Sequence, residues 1–190
     1  MPAHYSLSET EEAVKRRLGP IPVRLEALAA VSNLYRAAAA VRQHLESSAL
    51  RAADLTWSAF VVLWVVWIWE EMETRHAAAE AGISKGTLTG IIKTLESRGL
   101  IHRRQHPDDG RLALLRLTPE GTALMEKLFP LFNGEEAFVV GALGREETYH
   151  LADMLRRVIT HLEDHGEGRR EDLRRESPVP PRRGGRRSAD

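Results

Sequence analysis

Between residues 84 and 116 the chain carries Lys85, Lys93, Arg98, Arg103, Arg104, Arg111 and Arg116 against only Glu96, Asp108 and Asp109, while the formal net charge of the whole chain is zero. A positive footprint confined to one segment is the chemistry of phosphate binding. It argues against a general nucleic-acid coat and for a local, directional contact. Small polar residues, Ser84, Gly86, Thr87, Thr89, Gly90 and Thr94, are interleaved with Leu88, Ile91, Ile92 and Leu95, which recur at i, i+3, i+4 and i+7. At about 100° per residue, Gly86, Gly90, Lys93 and Ser97 lie opposite the apolar stripe. Two glycines on an exposed helix face cost about 1 kcal/mol each against alanine; close backbone approach to something as large as a major groove accounts for them. They also withhold the long side chains that read guanine. Base readout then falls to the threonines and Lys93, with a larger share from DNA shape and phosphate positioning.

The elements that must hold these groups are legible nearby. Ser84 is placed to cap a helix that stops at Gly99, and Gly82-Ile83-Ser84 forms the tight turn after a short helix over 74–81. Two basic, apolar-rich runs, 101–106 and 112–117, flank Pro107-Asp108-Asp109-Gly110 and predict a hairpin. Arg111 then stands near the tip, where an arginine can enter a narrow minor groove, with Asp109 placed to hold its guanidinium. A reader helix followed by a wing emerges. Its DNA-facing residues are Ser84, Lys85, Gly86, Thr87, Thr89, Gly90, Lys93, Arg103, Arg104, Asp109 and Arg111.

The remainder predicts mostly helix. Ser8 and Glu11 have capping-box spacing before Gly19-Pro20, and 23–49 reads as one long helix. Thr56 caps the next, over 57–70, while Glu70, Glu71 and Glu73 read as a solvated turn. Thr118-Pro119 opens a helix to about residue 142, kinked near Pro130. A final helix over 145–165 carries Leu151, Leu155, Val158 and Leu162 on one stripe, and from Gly166 the Arg-, Glu- and Pro-rich composition predicts an unfolded tail. The expected fold is mainly α with a small β-wing: a winged helix-turn-helix domain plus a helical dimerisation region. Its divisions are 1–50 (N-terminal helices of the dimerisation region), 51–118 (DNA-binding domain), 119–165 (C-terminal dimerisation helices) and 166–190 (tail, whose arginines suit nonspecific DNA contact or solubility alone).

Several classes are excluded or disfavoured. With no cysteine there is no disulfide, thiolate metal site or thiol sensor, which fits a reducing cytoplasm. The start of the chain lacks a signal-peptide pattern, and the apolar run 59–69 is too short for a membrane span. No phosphate loop, nucleophile elbow or paired carboxylates in an apolar setting support catalysis. His161 and His165 have metal-ligand spacing but no third ligand nearby, so neither metal nor cofactor is expected.

The stretch GISKGTLTGIIKTLESRGLIHRRQHPDDGRLALLRLTPEG resembles the winged-helix core of the multiple-antibiotic-resistance regulator (MarR) family. The resemblance rests on Ile83-Ser84, Thr87-Leu88-Thr89, Leu95-Glu96, Gly99-Leu100, Arg103, Asp109-x-Arg111 and Leu117-Thr118-x-x-Gly121, and extends more weakly over about residues 23–163. It implies a homodimer on a pseudo-palindromic double-stranded DNA operator, often released by a small-molecule effector bound in a crevice lined by the second long helix. All four tryptophans, Trp57, Trp64, Trp67 and Trp69, fall on that helix. Tyr35, Arg36, Trp57 and Trp64 are the candidate ligand residues, with Arg36 or His44 as the cationic anchor for an aromatic acid. Gly90 stands where many members have arginine, and the missing cysteine excludes the peroxide-sensing branch. The expectation is a dimeric repressor released by its ligand. The alternatives are a DNA-binding regulator without an effector and a winged-helix protein-interaction module.

Overall fold

The computed structural model describes residues 5–19, 21–107 and 112–176, and divides into two compact units at Val139/Val140. The first unit holds α1 (Leu7–Leu18), α2 (Leu25–Ser47), α3 (Ala49–Ala52), α4 (Trp57–Trp69), β1 (Glu71–Glu73), α5 (Thr74–Glu80), α6 (Lys85–Ser97), β2 (Ile101–Gln105), β3 (Ala113–Leu117) and α7 (Pro119–Val139). The second holds α8 (Arg145–Glu176). The architecture is mainly α with a small antiparallel sheet in the order β1-β3-β2.

Helix α4, WSAFVVLWVVWIW, is apolar on every side, which a helix tolerates only at the centre of a core. Phe60, Val62, Leu63, Val65 and Val66 are buried, and the Thr56 hydroxyl caps the helix by accepting from Ala59 N at 3.3 Å. Around it close Leu45 of α2, Leu50 of α3, Ala77 and Ala78 of α5, Leu88, Ile92 and Leu95 of α6, Leu115 and Leu117 of β3, and Met125, Leu128 and Phe132 of α7. The reader helix thus hangs on the core by the stripe its periodicity predicts.

Two junctions fix the angles. Gly82 and Gly99 adopt φ of +62° and +67°, the left-handed conformation that lets α5 turn into α6 and α6 into β2. At the base of the wing Thr118 Oγ1 donates to the Gly99 carbonyl (2.6 Å) and accepts from Gly121 N (2.9 Å). A Cβ on Gly121 would overlap the Leu100 carbonyl, so α7 abuts the wing only because residue 121 is glycine.

Several expectations need correction. The capping box of α1 is formed by Ser6 and Glu9 instead of Ser8 and Glu11. The acidic run is no solvated turn: Glu71–Glu73 is a strand, paired to β3 through Glu71↔Arg116, Met72↔Leu115 and Glu73↔Leu114. Helix α7 continues from Pro119 through Pro130 and ends at Val139, short of the expected end near residue 142. Helix α8 does not stop near 165 but continues to Glu176, where Arg175 pairs with Glu171 (3.7 Å) and Asp172 (3.8 Å) one turn back. Opposite charges at i, i+3 and i, i+4 sustain a helix that composition alone assigns to the tail. Taken by itself, α8 is acidic in its first turn and basic in its last, which suits the helix dipole.

Candidate nucleic-acid interface

The face of α6 opposite its buried stripe is built from Ser84, Lys85, Gly86, Thr87, Thr89, Gly90 and Lys93, all exposed. Its hydroxyls are largely engaged by the protein itself. Ser84 Oγ accepts from Thr87 N at 3.1 Å and lies 2.8 Å from Thr87 Oγ1, while Thr89 Oγ1 donates to the Lys85 carbonyl at 2.9 Å. A threonine bonded back to its own helix turns its methyl outward, so Thr89 offers a base edge mainly an apolar contact. A Cβ placed on Gly90 would meet nothing within 4 Å, so no contact inside the protein demands glycine there. The side chains of Lys85 and Lys93 have no hydrogen-bond or ion-pair partner among the described residues.

Strand β2 divides its two arginines between opposite sheet faces, as the period of two requires. Arg103 pairs in register with Leu115 and points to the α6 side, 3.9 Å from Glu96. There it joins Thr74, Arg75, Lys85 and Thr89, with Leu88, Ile92, Leu112 and Ala113 beneath, around a cleft of about 490 Å³ between reader helix and wing. Arg104 lies on the other face and is not free. Its Nε and Nη2 donate to Glu71 Oε1 and Oε2, both at 2.7 Å. These bonds hold the Glu71 carboxyl below the ordinary glutamate value, with burial opposing and Arg116 and His102 adding attraction, and they raise the Arg104 guanidinium. Of the expected DNA residues the structure therefore brings together Ser84, Lys85, Gly86, Thr87, Thr89, Gly90, Lys93 and Arg103, and separates Arg104. Asp109 and Arg111 lie outside the described residues.

Sequence reasoning missed Arg98. Its guanidinium donates to the carbonyls of Asp54 (2.5 Å) and Ala53 (2.8 Å), tying the end of the reader helix to the loop before α4. The signal for it, a left-handed Asp54 at φ +50°, is visible only in the fold.

The candidate ligand residues do not converge. Trp57 packs near Phe60 (6.4 Å) and Phe132 (6.3 Å), and Trp64 stacks on Phe129 (4.5 Å), so both serve the α4–α7 core. Tyr35 is 81% exposed, and Arg36 lines a separate cavity of about 110 Å³ between α1 and α2. His44 Nε2 lies 2.6 Å from Glu135 Oε2, its ring stacked on Phe138. A different cavity, of about 240 Å³, gathers Val66, Trp67, Glu70, Arg116, Leu117 and Thr122. His161 and His165 stack on each other at 4.8 Å, and no group of metal-ligating residues occurs among the described residues.

A capped reader helix whose lysines have no partner among the described residues, set beside a three-stranded sheet, defines a winged helix-turn-helix DNA-binding protein. Comparison narrows the class. A MarR family profile matches residues 55–112. An uncharacterized HTH-type transcriptional regulator of Bacillus subtilis (strain 168), YwaE, is 33% identical over 162 residues, covering 84% of this chain and 95% of its own. A mutant of Escherichia coli MarR, complexed with operator DNA, superposes with a TM-score of 0.64 at 22% identity, covering 70% of this chain and 95% of that one. Bordetella bronchiseptica BpsR, whose DNA binding is regulated by 6-hydroxynicotinic acid, gives 0.63 at 26%, covering 68% and 97%. The chain belongs to the MarR family of transcription regulators. Its relatives and its fold are those of regulators, not enzymes. Among the described residues no single helix is long and apolar enough to cross a membrane.

Proposed function

We propose that the protein is a homodimeric repressor that places one α6 per protomer in successive major grooves of a pseudo-palindromic operator, with the wing alongside. The observation that carries this reading is the α6 face itself: two unpartnered lysines beside residues small enough for close backbone approach. Apolar surface left without cover supports the dimer. Helix α2 exposes Val31, Leu34 and Tyr35, α7 exposes Leu131 and Phe138, and α8 exposes Met154, Val158, Ile159 and Leu162. Patches of this kind mark association surfaces, and two-fold symmetry supplies two reader helices about one helical turn apart. The test is fluorescence anisotropy on a labelled duplex from immediately upstream of its own gene, with light scattering on the same sample. Tight binding by a dimer, weakened by Lys85→Ala and Lys93→Ala, is expected. A micromolar monomer, or binding indifferent to both lysines, would overturn the reading.

An effector is the finer part of the proposal. The cavity at Trp67 offers an indole wall, the Arg116 guanidinium and the Thr122 hydroxyl, a set that suits a single-ring aromatic acid. BpsR, a relative in fold, responds to such an acid. Release of the duplex by an aromatic acid in the wild type but not in Arg116→Gln supports this site. Release that survives in Arg116→Gln moves the effector elsewhere. A second reading, DNA binding without an effector, is favoured by the packing of Trp57 and Trp64 into the core.

A further inference from the structure

We infer that the Glu71–Arg104 pair is a positioning clamp for DNA binding, so that a carboxylate within the DNA-binding domain strengthens operator affinity. The inference rests on the proposed DNA face. Strand β2 is the outer edge of the sheet and touches only β3 by backbone bonds. Toward the outer end of β2, Arg104↔Leu114 is the penultimate ladder pair and Gln105↔Ala113 the last, and a backbone bond from His106 N to the Leu112 carbonyl (3.0 Å) extends the pairing beyond them. Glu71 lies on β1, beyond β3, in register with Arg116 instead of Leu114. The Arg104 side chain therefore crosses β3 diagonally and fastens the outer end of β2 to the strand that leads into α5. Bidentate geometry fixes direction as well as distance, because both donors of a planar guanidinium must meet both oxygens of one carboxylate. The neighbour Arg103, one residue earlier on the opposite face, lines the basic cleft beside α6. Rotation of β2 about its axis would swing Arg103 out of that cleft, and the clamp opposes this rotation.

Simple charge counting predicts the reverse. A glutamate near a polyanion should repel it, and its removal should both lessen that repulsion and release Arg104 to bind phosphate. The two accounts differ in sign, and the same upstream duplex decides between them. The clamp predicts that Glu71→Gln and Arg104→Gln each weaken binding about threefold, within the range for an exposed, well-formed pair. The slope of log affinity against log salt should stay at its wild-type value. The double variant should bind no worse than either single one, and the exchanged pair Glu71→Arg/Arg104→Glu should recover part of the loss. Both side chains are partly exposed, so glutamine is accommodated, and thermal melting confirms that each variant folds. Tighter binding by Glu71→Gln, or a slope about 0.9 shallower in Arg104→Gln, would make Arg104 a phosphate ligand and overturn the clamp. A lowered melting temperature with unchanged affinity would overturn it too, leaving the pair a stabiliser of the sheet alone. Lys85→Ala and Lys93→Ala on the same duplex separate this from the underlying reading: if they bind as wild type, the DNA face itself has been misassigned.

Discussion

The reader helix and the wing spend similar numbers of charges in opposite ways. On α6 the lysines have no partner among the described residues and the hydroxyls are bonded inward. On β2 Arg104 is locked by two short bonds and Arg103 sits within 3.9 Å of Glu96. The helix needs no clamp, because Leu88, Ile92 and Leu95 and the Arg98 bonds to Ala53 and Asp54 already fix its rotation. The edge strand has only Ile101 buried along its length, so electrostatics must do there what burial does for the helix. The lysines of α6 are thus left for the proposed phosphate contacts, whereas Arg104 is spent on holding the sheet together.

That contrast can be broken in four places. The largest effect belongs to the Lys85→Ala/Lys93→Ala double variant. Two lost phosphate contacts should flatten the salt slope by about 1.8 and weaken binding by roughly tenfold or more at physiological salt. An unchanged slope removes both lysines from the interface. Next, Gly90→Ala should separate folding from binding. Alanine is a better helix former by about 1 kcal/mol and meets nothing within 4 Å, so the melting temperature should rise while operator affinity falls. A rise in both would mean that DNA does not approach this backbone.

Thr89 gives a smaller, base-specific effect. Thr89→Val keeps the methyl and replaces the hydroxyl bonded to Lys85 O by a second methyl, so it should bind nearly as wild type; Thr89→Ser should relax preference at particular base pairs by about 1 kcal/mol. If Val is the damaging change, the hydroxyl reads DNA after all. The smallest effect is on acidity. Because Arg104 holds the folded Glu71 carboxyl below its ordinary value, the stabilisation is complete above that ordinary value, about 4.3, and is lost only as pH falls through the lower folded value. Urea midpoints of wild type and Glu71→Gln should therefore differ at neutral pH and converge on strong acidification. A gap that persists below the carboxylate range would assign it to packing.

What was legible in the chain was what is decided locally. Ser84 and Thr56 cap their helices as their positions predict, and the stripe of α6 enters the core. Strand β1 was not legible, since Glu-Met-Glu has neither β-branched residues nor a useful alternation; its partners, Arg116 and Arg104, lie more than thirty positions away. For the same reason the pairing of Arg104 with Glu71 could not be read from the sequence. The end of α8 was hidden because a zwitterionic sequence has the composition of a disordered one until the sign of each charge is matched against its neighbour a turn away. Trp57 and Trp64 read as ligand walls because composition cannot show that Phe132 and Phe129 of α7 pack against them.

The open space over Gly90 has a meaning for how such a regulator acquires new targets. A specificity helix crowded by its own scaffold can change what it recognises only by rebuilding that scaffold. Here one codon change to a long side chain would cost nothing inside the fold, would remove a helix-weakening residue, and would put a new reading group into the groove. With α6 in the groove as proposed, the protein keeps room on its reading face, so divergence of its regulon can begin with a single substitution that selection on stability does not oppose.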